Sequence, residues 1–210
     1  MKNILVLTAC VLFSLPAEAM SPDMASDADM QREWLEVQAD KDRERRASWW
    51  RRLSSARLNA YIQAGADVEF ADRRGWTPLH SAARYSSDPE ILIALLRAGA
   101  EVGAKTRSGD TPLHWAAADN PSVDIIKTLI EAGAHVNSRD RYGWLPIHTA
   151  ADRNPNPEVI DVLVKSGSKL NRRAYFVLFR PQFLLKHNSK MSDTDKKAAL
   201  VSLAGPVPAP

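Results

Sequence analysis

The sequence predicts an all-α solenoid of stacked helix-turn-helix units, and three observations carry that prediction. The first is a period. Residues 106–139, TRSGDTPLHWAAADNPSVDIIKTLIEAGAHVNSR, set Gly109, Thr111, Pro112, Leu113, His114, Ala116, Ala117, Gly133, Ala134 and Val136 over Gly75, Thr77, Pro78, Leu79, His80, Ala82, Ala83, Gly99, Ala100 and Val102, 34 residues earlier. A forward shift of the same size brings in Gly143, Pro146, Ile147, His148, Ala150, Ala151 and Gly167. The second is a helical apolar stripe in each unit. The third is glycine placement: counting Gly65 of an earlier partial unit, seven of the nine glycines occupy repeat positions, so they punctuate the units rather than fill loops at random.

Within each unit, Thr77 and Thr111 stand where an N-cap hydroxyl is wanted. Pro78, Pro112 and Pro146 follow at the first helical position, where a missing N–H costs nothing. The alanine pairs then allow neighbouring helices to approach closely. The second helix begins at Asp88, Ser122 and Asn156, all good caps, followed by Pro89 and Pro157 and by the acidic Glu90, Asp124 and Glu158. Its stripe reads Ile91, Leu92, Leu95, Leu96; Ile125, Ile126, Leu129, Ile130; and Val159, Ile160, Leu163, Val164. Gly99, Gly133 and Gly167 end these helices, and Gly75, Gly109 and Gly143 shape the next turn.

On these residues the chain resembles the ankyrin repeat, whose TPLH-x-A signature is matched over roughly Asp72 to Arg173. Two departures stand out. The period is one residue longer than the usual unit, with the extra residue in the loops SSDP, NPS and NPNP, and Leu145 replaces threonine in the third unit. The resemblance implies that His80, His114 and His148 hydrogen-bond into the neighbouring turn, and that a partner meets the turn tips and the exposed side of the first helices. Those places hold Arg73, Arg74, Trp76, Arg84, Tyr85, Arg107, Asp110, Asp119, Arg141, Tyr142, Trp144, Asp152 and Arg153. Trp, Tyr and Arg dominate interface energetics. The competing expectation is that Trp76 and Trp144 pack against adjacent turns and that Trp115, beside the alanine pair, belongs to the packing as well.

The remainder of the chain is read in order. Residues 1–19 carry Lys2, the apolar run Ile4 to Leu15, Pro16 and Ala17-Glu18-Ala19, the pattern of a secretory signal peptide cut after Ala19. Leu7-Thr8-Ala9-Cys10 also resembles a lipoprotein box, though cutting there would leave the strongly apolar Val11 to Leu15 in the mature sequence. Cys10 is the single cysteine, so the exported chain has none, which suits a periplasm. Residues 20–31 are expected as a flexible linker and 32–71 as a degenerate capping unit. The stretch Gln31 to Arg57 reads as one charged amphipathic helix with Trp34, Trp49 and Trp50 among basic and acidic residues. A solvated cap is favoured there over a basic aromatic patch for an anionic partner, because the acids are interleaved.

Three repeats follow, 72–105, 106–139 and 140–173, then a degenerate cap at 174–205 and a tail at 206–210. In that cap Pro181 is one place out of register, Gln182 to His187 is expected as a first helix, and Ser192-Asp193-Thr194-Asp195 opens a second, Lys196 to Ala204. Arg172, Arg173, Arg180, Lys186, Lys190, Lys196 and Lys197 make its surface basic.

No phosphate loop, nucleophile elbow or zinc-protease motif occurs, and the repeat histidines, about 10 Å apart in stacked helices, do not converge on one ion. His135 and His187 are expected at the surface, and Asp72, Asp110 and Asp140 as solvated turn residues. The expectation is therefore a monomeric, exported, non-catalytic interaction module without cofactor or metal, holding another protein on a concave face. An immunity or protective factor for one dedicated enzyme, or a secreted effector acting on a host protein, are the alternatives. A net charge of +3 leaves nucleic acid open on charge alone, but mixed signs and export speak against it.

Overall fold

The computed structural model describes residues 26–40, 42–169 and 181–204, and these residues are helices and turns without strand. The signal segment 1–19, the tail 206–210 and Arg172, Arg173 and Arg180 lie outside the described residues. The helices are α1 (Asp27–Ala39), α2 (Arg43–Arg52), α3 (Ser55–Gln63), α4 (Pro78–Tyr85), α5 (Pro89–Arg97), α6 (Pro112–Asp119), α7 (Val123–Glu131), α8 (Pro146–Arg153), α9 (Glu158–Lys165), α10 (Pro181–His187) and α11 (Asp193–Ala204). They stack in two rows. First helices α2, α4, α6, α8 and α10 pack in sequence, as do second helices α3, α5, α7, α9 and α11.

The buried stripe forms as the spacing predicts. Ile91, Leu92, Leu95, Ile125, Ile126, Leu129, Val159, Ile160 and Leu163 are all fully buried, while Leu96, Ile130 and Val164 pack at the margin. The alanine pairs are also at zero exposure, so the first helices meet with almost no side chain between them. Burial of each large aliphatic contributes about 1.5–3 kcal/mol. The array is held by repetition of this small interface.

Two expectations at the amino end are corrected. Helix α1 begins at Asp27, capped by Ser26 Oγ, so ordered structure reaches into the 20–31 segment expected as linker. The single helix expected over Gln31 to Arg57 is two, because Asp42 stops the chain and recaps it by accepting the N–H groups of Glu44 and Arg45. The hairpin so formed buries Trp34 and Trp50 completely, with Trp49 and Tyr61 closing an aromatic cluster at centroid distances of 5.1–6.2 Å. Trp34 donates to Asp67 O at 3.0 Å, pinning α1 to the following turn. These indoles are core, and the basic aromatic patch does not form.

Threonine at the head of α4 and α6 works differently from a simple cap. Thr77 Oγ1 lies 2.8 Å from His80 Nδ1, and the same nitrogen accepts the Thr77 N–H at 3.2 Å. Thr111 and His114 repeat this arrangement. His80 Nε2 then reaches Asp110 O in the next turn at 3.2 Å, and His114 Nε2 reaches Trp144 O at 3.2 Å, as the resemblance implies. With Leu145 in place of threonine, His148 Nδ1 still accepts the backbone N–H at 3.1 Å, so the helix start survives the lost hydroxyl. At the second helices Asp88 accepts from Glu90 N and Asn156 from Glu158 N, whereas Ser122 stands at the cap position without a side-chain bond.

Turns are joined directly. Arg107 N–H donates to Arg74 O at 2.7 Å and Arg141 N–H to Ser108 O at 2.8 Å. Gly109, at φ +85°, lies under this junction, where a Cβ would stand 3.0 Å from Arg141 N. A side chain is excluded there on both counts.

An asparagine ladder runs beneath the helices. Asn120 Nδ2 donates to Ala83 O and Ser86 O, Asn154 to Ala117 O and Asn120 O, and Asn188 to Asn154 O, all within 2.7–2.9 Å. Each Oδ1 accepts the N–H two residues on, at Ser122, Asn156 and Lys190. The ladder keeps the 34-residue spacing into the last unit, so α10 is in register although Pro181 is displaced. Ser192 Oγ caps α11 through Asp195 N, as its sequence predicts.

Candidate protein-binding face

The first-helix side and the turn tips bring the expected residues together only in part. Arg73, Arg74, Arg107 and Arg141 are exposed at successive tips, and Tyr142 is 81% exposed. Trp76, Arg84 and Tyr85, expected on the open face, are buried instead. Trp76 is wedged against Trp115 at 4.7 Å and His80 at 5.5 Å, and its Nε1 donates to Ser81 Oγ at 2.6 Å. The reason is position: Trp76 precedes the helix start and folds back over α4 rather than out from the tip. Trp115, expected in the packing, is partly exposed, and Trp144 is also half-buried.

Asp72, Asp110 and Asp140 are not free turn carboxylates. Asp72 Oδ1 accepts from the N–H groups of Arg74 and Trp76, and Asp140 Oδ1 from those of Tyr142 and Trp144. Asp110 takes the hydroxyls of Thr106 and Ser108. These bonds shape the tips, and Asp72 Oδ2 also pairs with Arg46 at 3.8 Å.

At the end of α6 stands Asp119, its side chain only 10% exposed, and four cations from four other elements converge on it. Arg84 Nη2 lies 2.5 Å from its Oδ2, Arg153 Nη2 2.7 Å, Lys190 Nζ 3.3 Å from Oδ1 and Arg43 Nη2 3.6 Å. Burial alone would raise the Asp119 pKa, but Arg84, Arg153 and Lys190 outweigh it and hold the carboxyl below its ordinary range. Arg84, itself 6% exposed, has its pKa lowered by desolvation against the pull of Asp119. Its guanidinium carbon sits 4.4 Å from the Trp115 ring centre and 5.1 Å from that of Tyr85. Arg153 approaches the same Trp115 at 5.8 Å. The tryptophan thus forms the wall between the buried ion pair and the surface.

Beside this cluster is an open hollow of about 590 Å³, with Trp115, Tyr142 and Trp144 as its large rings and Asp152 and Arg153 at its edge. Arg153 belongs to both features. Sequence reasoning missed Arg43 and, as a member of the site, Lys190. Both lie outside the matched repeats, Arg43 on the capping helix and Lys190 in the last turn. The period could have found Lys190, two residues after Asn188.

Among the described residues no three His, Cys, Asp or Glu side chains are placed to hold a metal, and no helix is long and apolar enough to cross a membrane.

Two-helix units stacked in register, with polar turns joined along one edge, define a helical repeat solenoid of the protein-binding class. Residues 86–174 match the family model for ankyrin repeats, in three copies. Those residues are therefore ankyrin repeats, and such repeats form protein-protein interaction modules. No curated protein matches the sequence.

Proposed function

We propose that the chain is an exported, non-catalytic binding module, periplasmic or secreted after loss of residues 1–19, which holds a partner protein on its first-helix face. The observation that carries this reading is the open hollow lined by Trp115, the exposed Tyr142, Trp144 and Arg153, in an array whose turn tips expose Arg73, Arg74, Arg107 and Arg141. Aromatic and arginine side chains left accessible in a concavity are the groups that contribute most when a partner covers them. Export rests on the n-region, apolar run and Ala-Glu-Ala pattern of residues 1–19.

A photoreactive phenylalanine analogue in place of Tyr142, introduced in cells that export the protein, tests both parts. The exported chain should begin at Met20 by mass and should yield a discrete cross-linked species. The same group in place of the exposed Lys165, on the second-helix side, should not. Identical products from both positions would refute the face, and a lipid-modified Cys10 would refute the soluble exported form.

A further inference from the structure

The cluster around Asp119 is over-compensated: four cations face one carboxylate, a local excess of three positive charges. Arg84 alone is close and buried enough to neutralise Asp119. The other three are accessible, with side-chain exposures of 60% for Arg43, 50% for Lys190 and 37% for Arg153. Among the described residues they have no other acidic partner. The turn tips carry further cations, Arg73, Arg74, Arg107 and Arg141, which form no ion pair with described residues, whereas Asp110, Asp140 and Asp152 line the hollow, so the uncompensated positive charge is concentrated at the cluster itself. Like charges gathered without compensation repel, and an arriving anion relieves that repulsion.

We infer that this cluster and the adjoining hollow form one recognition site for an acidic segment of a partner protein, with a carboxylate set among Arg43, Arg153 and Lys190 and a neighbouring aromatic or aliphatic side chain in the hollow. The inference rests on the proposed binding face and assigns its chemistry. Arg153 is shared by both features, which puts the acidic and apolar groups of the partner within a residue or two of one another. Asp119 keeps Arg84 throughout, so the exposed cations can turn to the newcomer without leaving a buried carboxylate unpaired. Arginine's planar fork suits a carboxylate bidentately. A polyphosphate strand fits less well, because evenly spaced phosphates would run from the cluster onto Asp152, whose carboxyl stands at the hollow with no cation paired to it among the described residues.

The test is to pan a phage-displayed library of random twelve-residue peptides against the protein at low salt and to measure enriched peptides by fluorescence anisotropy. Binding is compared for the wild type, the double variant Arg43→Glu/Lys190→Glu, Tyr142→Ala, and the second-helix control Lys127→Glu/Lys165→Glu, which changes net charge equally. Enriched peptides should carry Asp or Glu beside a large apolar residue. Their affinity should fall about tenfold or more in Arg43→Glu/Lys190→Glu and less than about twofold in the control. Equal losses in both double variants would reduce the effect to net charge and overturn the site. Neutral or basic peptides sensitive to Tyr142→Ala but not to Arg43→Glu/Lys190→Glu would overturn the acidic partner while leaving the binding face intact. Displacement of the peptides by a single-stranded oligonucleotide at lower concentration than by poly-glutamate would overturn the partner class. Insensitivity to every first-helix change would overturn both this inference and the face it rests on.

Discussion

Asn154 donates its side-chain amide to the carbonyl of Asn120, its own counterpart one repeat earlier, at 2.8 Å. The same amide reaches Ala117 O, and Asn154 Oδ1 accepts from Asn156 N, with the Asn154 residue itself at zero exposure. One side chain therefore ties the loop of its own unit to two carbonyls of the previous one.

Asn154→Ala should cost about 2–4 kcal/mol, since it breaks three bonds and leaves buried backbone groups without partners. Asn156→Ala, at a more open position with one bond across the repeats, should cost about 1 kcal/mol. Urea midpoints of the two variants provide the comparison, and equal losses would show that the ladder adds nothing beyond capping.

Stability should fall on mild acidification. Burial pushes the His80 imidazole down to about 4 from its ordinary 6.5, against the opposing help of the Asp110 carbonyl, and His148 is likewise lowered to about 4. Between those values the unfolded chain takes up protons that the folded rings refuse. The folded state is therefore fully favoured above pH 6.5, loses stability as pH falls from 6.5 toward 4, and levels off below, where both states are protonated. The loss reaches the order of 3 kcal/mol for His80. Equilibrium urea unfolding at pH 7 and pH 5 should show it, with a shallower pH dependence in His80→Gln.

Removal of Asp119 should be more damaging than its partial exposure suggests. Asp119→Ala strands the buried Arg84 among three other cations, and an uncompensated buried charge costs about 3–5 kcal/mol. Asp124→Ala, which breaks an exposed pair with Lys127 at 3.7 Å, should change stability by less than about 0.5 kcal/mol. A thermal melt in which the two variants matched would mean that Arg84 is served by water.

Trp76 and Tyr142, both expected on a single face, should separate cleanly. Trp76→Ala removes a 7% exposed indole from between α4 and α6 and should cost about 3–5 kcal/mol. Tyr142→Ala should leave the denaturation midpoint within about 0.5 kcal/mol of wild type. Similar destabilisation by both would place Tyr142 in the packing and remove it from the hollow.

The repeat units were legible in the sequence because their signals are local: proline at a helix start, alanine pairs, a stripe of period 3.6 and glycine at forced φ. The histidine bridges followed from the resemblance. Register alone could not separate Trp76 from Tyr142, since both sit near a tip but only the indole folds back onto the helix below. Asp119 read as one polar residue among many, because its importance comes from Arg43, Arg84, Arg153 and Lys190, up to 76 residues distant from it in sequence. The asparagine ladder is not legible in the sequence although Asn120, Asn154 and Asn188 keep the period, because asparagine in a loop is ordinarily a turn former and not a cross-repeat tie.

The tryptophans also make the molecule optically lopsided. Three of the six lie in the amino-terminal cap, Trp76 and Trp115 meet edge to face between α4 and α6, and none follows Trp144. Fraying of α9, α10 and α11 would lower helicity while leaving the indole emission of the other end almost untouched. Trp115 and Trp144 are partly exposed at the hollow, so their emission responds to whatever settles there, against a background from the shielded cap. Far-ultraviolet circular dichroism therefore follows every helix of the array and fluorescence chiefly its tryptophan-bearing part, and the interval between their transitions measures how far its repeats unfold as one.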